Sequence, residues 1–138
     1  MSDLTEHEYR QLLEFRTALR RFMRWSEQQA HDVGLTPAQH QLLLAVRGHA
    51  GPDAPTVGDL AESLLLKHHS AVGLVDRAEL GGLVERRVDR NDQRIVRVHL
   101  TALGKRRLAQ LSAMHLAELR RSGPQLAPFL RELNIAGA

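Results

Sequence analysis

The side chains with most to offer chemically lie within positions 67–100. Lys67, His68, His69 and Ser70 open a short helical pattern, Arg77 follows on it, and Arg86, Arg90, Asp92 and Arg94 belong to a polar, basic stretch downstream. Histidine and serine both donate and accept hydrogen bonds. Arginine presents a planar fork that matches phosphate or guanine, and lysine a mobile point charge. Placed at the start of a helix, where unpaired backbone N–H groups already favour anions, such residues suit a polyanion such as double-stranded DNA. They do not suit catalysis. The chain holds no Ser/His/Asp arrangement, glycine-rich phosphate loop or paired carboxylates at helical spacing, so it reads as no enzyme and calls for no cofactor.

The eight histidines raise the question of a metal. None forms a His-x-x-x-His pair, and His68 and His69 project about 100° apart on a helix, a poor geometry for joint ligation. We therefore expect no metal site. A metal-responsive regulator with ligands gathered across the fold is the alternative. With no cysteine, disulfides, thiolate sites and thiol sensing are excluded.

Charge supports the DNA reading by its placement. The net charge of the 138 residues is only +3, yet residues 67–107 carry ten Lys/Arg against five acids. Three Phe, one Trp and one Tyr are too few for a base-stacking platform. No apolar run reaches the ~18 residues of a membrane span and the first ten residues are polar, so no membrane partner and a cytoplasmic location are expected.

The elements that must position these residues follow from periodicity. Tyr9, Leu12, Leu13, Leu19, Phe22 and Met23 predict a long helix over 6–31, closed by Gly34. Thr36, Pro37 and Gln39 form a capping box for a second helix that buries Leu42, Leu43 and Val46. After a Gly/Pro loop over 48–55, Thr56 and Asp59 open a third helix with Val57, Leu60, Ala61 and Leu64 inward. A fourth runs over about 67–80 with Ala71, Leu74, Val75 and Ala78 facing the core, and stops at Gly81-Gly82. Val84, Arg86 and Val88, then Val96, Val98 and Leu100, alternate with polar residues on either side of a tip spanning 89–94, which is a hairpin. Thr101 caps a fifth helix bearing Leu108, Leu111, His115 and Leu119. Ser122-Gly123-Pro124 is expected to break it before a short last helix over 125–134 that carries Leu126, Phe129, Leu130 and Leu133.

This order, with Leu74-Val75-Asp76-Arg77, Gly82-Leu83-Val84-Glu85-Arg86, Asp92-Gln93-Arg94 and Leu100-Thr101-Ala102-Leu103-Gly104 in sequence, resembles the multiple-antibiotic-resistance regulator (MarR) family of bacterial transcription factors. The resemblance spans nearly the whole chain. It departs at Ala78, where the family usually has leucine, and at His68 and His69, where small polar residues are common. It implies a mainly α fold with a small β wing: a winged helix-turn-helix flanked by N- and C-terminal dimerisation helices. The chain is then one domain, with 36–100 as the DNA-binding unit and 6–31 and 102–134 as the dimerisation region.

The expected function is a sequence-specific transcriptional regulator, a repressor, that binds a pseudo-palindromic operator as a homodimer. Lys67, His68, His69, Ser70, Arg77, Arg86, Arg90, Asp92 and Arg94 are its candidate DNA-binding residues, with Asp92 orienting Arg94. Such regulators often respond to small aromatic ligands, for which Phe22, Trp25 and His40 are the candidates. The competing class is a helical protein-interaction module whose hairpin binds protein instead.

Overall fold

The computed structural model describes residues 3–132. In chain order the elements are α1 (Glu6–Asp32), α2 (Pro37–Arg47), α3 (Val57–Leu64), α4 (His68–Leu80), β1 (Val84–Val88), β2 (Val96–Leu100) and α5 (Ala102–Glu132). The chain divides into two compact units. A winged unit runs from Ala30 to Leu111, and a helical unit combines α1 as far as Gln29 with α5 from Ser112. The winged unit therefore reaches past the 36–100 segment at both ends, because Ala30, Leu35, Leu108 and Leu111 are buried in its core.

The expected capping box at Thr36 is made, and Thr56 with Asp59 makes a second. Gln39 N donates to Thr36 Oγ1 at 3.1 Å and Thr36 N donates back to the Gln39 side chain at 3.1 Å. Asp59 N and Thr56 repeat the exchange at the start of α3, at 3.1 and 3.0 Å. Each box satisfies two backbone donors that a helix start would otherwise leave open. Leu42, Leu43, Leu60, Ala61, Leu74, Val75 and Ala78 then meet Val84, Val98 and Leu100 in one core. The stripe of Ala71, Leu74, Val75 and Ala78 is buried as its spacing requires.

α4 ends through Gly82, whose φ of +75° is the left-handed turn; Gly81 remains right-handed. The hairpin is antiparallel in the register Val84↔Leu100, Arg86↔Val98 and Val88↔Val96. Its inward face is buried only near the base, and Val88 and Val96 are exposed where the ribbon leaves the core. At the start of α5, a Cβ on Gly104 would lie 2.1 Å from the Leu83 carbonyl oxygen, so only glycine lets that helix approach the entry to β1.

In the helical unit α1 and α5 run antiparallel. His7 Nε2 meets Glu132 Oε1 at 2.7 Å near one end, and Ser26 Oγ meets His115 Nε2 at 2.5 Å further along. Every buried hydrophobic side chain among the described residues belongs to the winged unit, and the helical unit buries only Gln11 and Ser26. Tyr9, Leu12, Leu13, Leu19 and Met23 of α1, with Leu116 and Leu119 of α5, are exposed.

One expectation is overturned. Ser122-Gly123-Pro124 does not end a helix, since α5 continues through Pro124 and Pro128 to Glu132. A proline removes its own ladder hydrogen bond and crowds the carbonyl four residues back, but neighbouring turns can carry the helix across. Leu119, Leu126 and Leu130, at i, i+7 and i+11, keep one stripe in phase across the proline, and Leu126 and Leu130 are half-buried. Leu133 and Asn134, and the side chain of Phe129, lie outside what is described. Among the described residues no helix is long and apolar enough to cross a membrane.

Candidate nucleic-acid interface

The turn into α4 sets up its exposed end. Leu65 stops α3 in the left-handed region (φ 56°, ψ 41°), with its N–H directed to the carbonyls of Ala61 and Glu62. Leu66 N then returns to Ala61 O at 2.9 Å. The next helix starts at once from Lys67, whose side chain makes no capping hydrogen bond. His68, His69 and Ser70 fill an exposed first turn whose N–H groups have no side-chain acceptor, the arrangement that favours a phosphate.

Arg77 is exposed two turns later. A Cβ on Gly73 would stand 3.2 Å from Arg77 Nη1, so this glycine leaves open the lane in which the guanidinium lies back along the helix. Ser70, Gly73 and Arg77 share one outward face by their spacing, i, i+3 and i+7.

Arg86 is held differently from its fellow candidates. Its Nη2 donates to Asp76 Oδ1 at 2.6 Å, its Nη1 to Glu79 Oε1 at 2.8 Å, and its backbone N to Glu79 Oε2 at 2.9 Å. These bonds clasp the base of β1 to the second half of α4. The backbone and side-chain bonds from Arg86 hold the Glu79 carboxyl below the usual range.

The wing tip is organised by Asp89. Its carboxylate accepts from Arg97 Nε at 2.6 Å and from the backbone N–H groups of Asn91 and Asp92, each at 3.0 Å. Arg97 in turn donates through Nη1 to the Ala54 carbonyl at 2.8 Å, while Val98 N donates to Pro55 O at 2.8 Å. The ribbon is thus fastened to the loop before α3. At the tip Asp92 takes Arg94 Nε at 3.0 Å and Nη2 at 2.9 Å. Arg97 and Arg94 hold Asp89 and Asp92, respectively, below the ordinary aspartate range. Arg90 is exposed beside them, and among the described residues no carboxylate pairs with it.

Of the nine candidates, Lys67, His68, His69, Ser70 and Arg77 lie at the start or on the outward side of α4, and Arg90, Asp92 and Arg94 crown the wing. Arg86 sits between as a brace. Three contributors escaped the sequence reading: Gly73, Asp89 and Arg97. The Asp89 and Arg97 pair spans the hairpin ladder, so the register, once known, could have revealed it.

Of the ligand candidates, Phe22 and Trp25 come together in the helical unit. Their ring centroids are 5.9 Å apart and lie 5.8 and 5.0 Å from the imidazole of His115. Beside them is a cavity of about 370 Å³, bordered also by Phe15, Arg21 and Arg121. His40 is a buried residue of α2 in the winged unit. Among the described residues no group of three His, Asp or Glu could hold a metal ion.

A recognition-type helix after a tight turn, followed by an anchored two-stranded ribbon, defines a winged helix-turn-helix, the fold of DNA-binding transcriptional regulators. Residues 33–95 match the MarR family. AbsC, a MarR family transcriptional regulator from Streptomyces coelicolor, superposes with a TM-score of 0.76 at 23% identity over 97% of this chain and 91% of that one. A MarR family protein from Bacillus stearothermophilus gives 0.75 at 23% identity, covering 96% and 94%. A mutant of MepR from S. aureus bound to an oligodeoxyribonucleotide gives 0.68 at 21%, covering 95% and 91%. At these identities the likeness is one of fold. No curated protein sequence matches the chain.

Proposed function

We propose that the protein is a sequence-specific regulator, a repressor, that binds a pseudo-palindromic operator in the cytoplasm as a homodimer. The observation that carries the DNA reading is the uncapped, exposed first turn of α4 standing in the same unit as a wing tip that presents Arg90 and Arg94. α4 enters the major groove with His68, His69, Ser70 and Arg77 toward base edges and Lys67 toward phosphate. Arg94, oriented by Asp92, and Arg90 lie in the neighbouring minor groove, where the potential of a narrowed groove attracts guanidinium.

The dimer is supported by the apolar side chains that the helical unit leaves in water. Pairing two copies about a two-fold axis covers both sets at once. It would set two copies of α4 about 34 Å apart, one turn of duplex. The cavity beside Phe22 and Trp25 supports modulation by a small aromatic ligand.

Selection of bound fragments from a random DNA pool, followed by titration at several salt concentrations, tests the reading. The expected result is one enriched palindromic motif whose affinity falls steeply with salt. Binding indifferent to sequence, or no binding at all, would overturn it in favour of a protein-interaction module.

A further inference from the structure

The winged unit contains a second basic feature, separate from the α4 face and the wing tip. The end of α2, the strand β2 and the first turn of α5 enclose a cavity of about 220 Å³, into which Arg47, Arg87, His99 and Lys105 contribute. We propose that this cavity is an oxyanion site that takes a phosphate group, carried either by a small free phosphate or by a nucleic-acid backbone.

Four observations support it. The four basic side chains come from four elements, α2, β1, β2 and α5, so no single charged helix face accounts for their meeting. Among the described residues no carboxylate pairs with Arg47 or Lys105, and only Arg87 has a partner, Glu85. Lys105 stands in the first turn of α5, where a cation opposes the helix macrodipole but an anion is welcomed by it. The lining is also mainly polar and basic, and 220 Å³ lies below the roughly 300–1,000 Å³ of sites for drug-sized ligands. Arg47 and Lys105 thus border the cavity without a counter-charge, and a bound anion would offset their charge.

The site is distinct from the Arg86 clasp. Side chains alternate along a strand, and in this register Arg87 pairs across to Arg97 and Glu85 to His99, while Arg86 pairs to Val98. Arg87 and His99 therefore use the ribbon face opposite to the one that reaches α4. The groups around His99 are Glu85 and Arg87 from β1, Arg97 from β2, Lys105 from α5 and Arg47 from α2. Burial and then Arg87 hold the imidazole below its ordinary value. An anion would draw a proton onto it, so anion affinity should rise as pH falls through that value.

The test uses the full chain with inorganic phosphate, against chloride at equal ionic strength. Expected are a saturable rise in Tm and a shift of the His99 ring signals in NMR spectra, assigned with His99→Gln. Arg47→Gln and Lys105→Gln, both exposed positions, should each weaken the response at least fivefold. If free phosphate does nothing but each variant lowers the salt dependence of DNA binding by about one counterion, the oxyanion is a DNA backbone phosphate and the site stands. An equal phosphate response in the variants is general stabilisation by a salt excluded from the protein surface and overturns the site. So does the absence of any effect in both arms.

Discussion

Asp92 closes on the guanidinium of Arg94 with two parallel hydrogen bonds, of 3.0 and 2.9 Å, while the arginine side chain remains 89% exposed. The aspartate adds a third bond, from Arg94 N to its Oδ1 at 3.0 Å. An exposed ion pair of this kind contributes little to stability, because water screens it. Its consequence is directional: a long side chain that would otherwise sample many rotamers is aimed.

Arg94→Ala is therefore expected to weaken DNA binding about tenfold, near the ~1–3 kcal/mol scale of a specific arginine contact. Asp92→Asn should lose part of that with little change in the global Tm, since its ion pair is exposed and the wing opens apart from the core. The double variant should bind no worse than Arg94→Ala alone. Arg94→Lys should not restore binding, because an ammonium lacks the two-pronged geometry. Fluorescence anisotropy at one fixed salt concentration reads all four, and additive losses would dismiss the positioning role.

Acid should loosen the wing before it loosens the core. Asp89 is held below the ordinary aspartate range chiefly by its hydrogen bond from Arg97, and Asp92 by that from Arg94. Glu79 is lowered by Arg86. For each, the folded value lies under the unfolded one, so the unfolded chain takes up its proton first. The contribution is complete above the unfolded values, about 4 for these carboxyls, and disappears as pH falls through the lower folded ones. Amide protection factors of Asn91, Asp92 and Arg94, corrected for the intrinsic exchange rate, should fall below about pH 4 while those of α2 and α4 persist. Simultaneous loss in wing and core would contradict this.

Much of this arrangement was legible in the sequence because local rules decided it. The boxes at Thr36 and Thr56, the stripe from Ala71 to Ala78 and the alternation in the hairpin each depend on near neighbours. The motif ending at Gly104 was legible too, although its cause, contact with the Leu83 carbonyl, belongs to the fold. What escaped depends on partners distant in sequence. Arg97 reaches Ala54, forty-three residues away, and Arg86 bridges from the ribbon to α4. Pro124 misled for another reason: proline weakens a helix locally, and the leucines in phase on both sides of it favoured continuation.

The two units should respond oppositely to the same chemical change. Leu43 is fully buried in the winged core, whereas Leu13 is 62% exposed on α1. Leu43→Ala removes buried methyl groups and leaves a cavity, at a cost of about 2–5 kcal/mol, read in denaturant titration. Leu13→Ala removes little that one chain covers, so it should leave the winged core intact. If the proposed dimer forms through this face, the substitution should instead raise the dimer's dissociation constant in analytical ultracentrifugation. A Leu13→Ala chain that associates as the parent does would place the two-fold interface elsewhere.

Leu65 offers a gain in stability. It is the one non-glycine residue with positive φ among those described, and its side chain is 92% exposed. The left-handed conformation costs a residue with a Cβ about 1–2 kcal/mol, and almost nothing in van der Waals contact offsets it here. Leu65→Gly removes that strain, while glycine's greater freedom in the unfolded chain returns roughly 0.4–1 kcal/mol of the benefit. The balance is a stabilisation of about 0.5–1 kcal/mol, seen as a Tm higher by a few degrees. Leu65→Ala keeps the Cβ and should gain nothing, which separates backbone strain from loss of an exposed leucine. Equal behaviour of the two variants would mean that the turn between α3 and α4 is not strained.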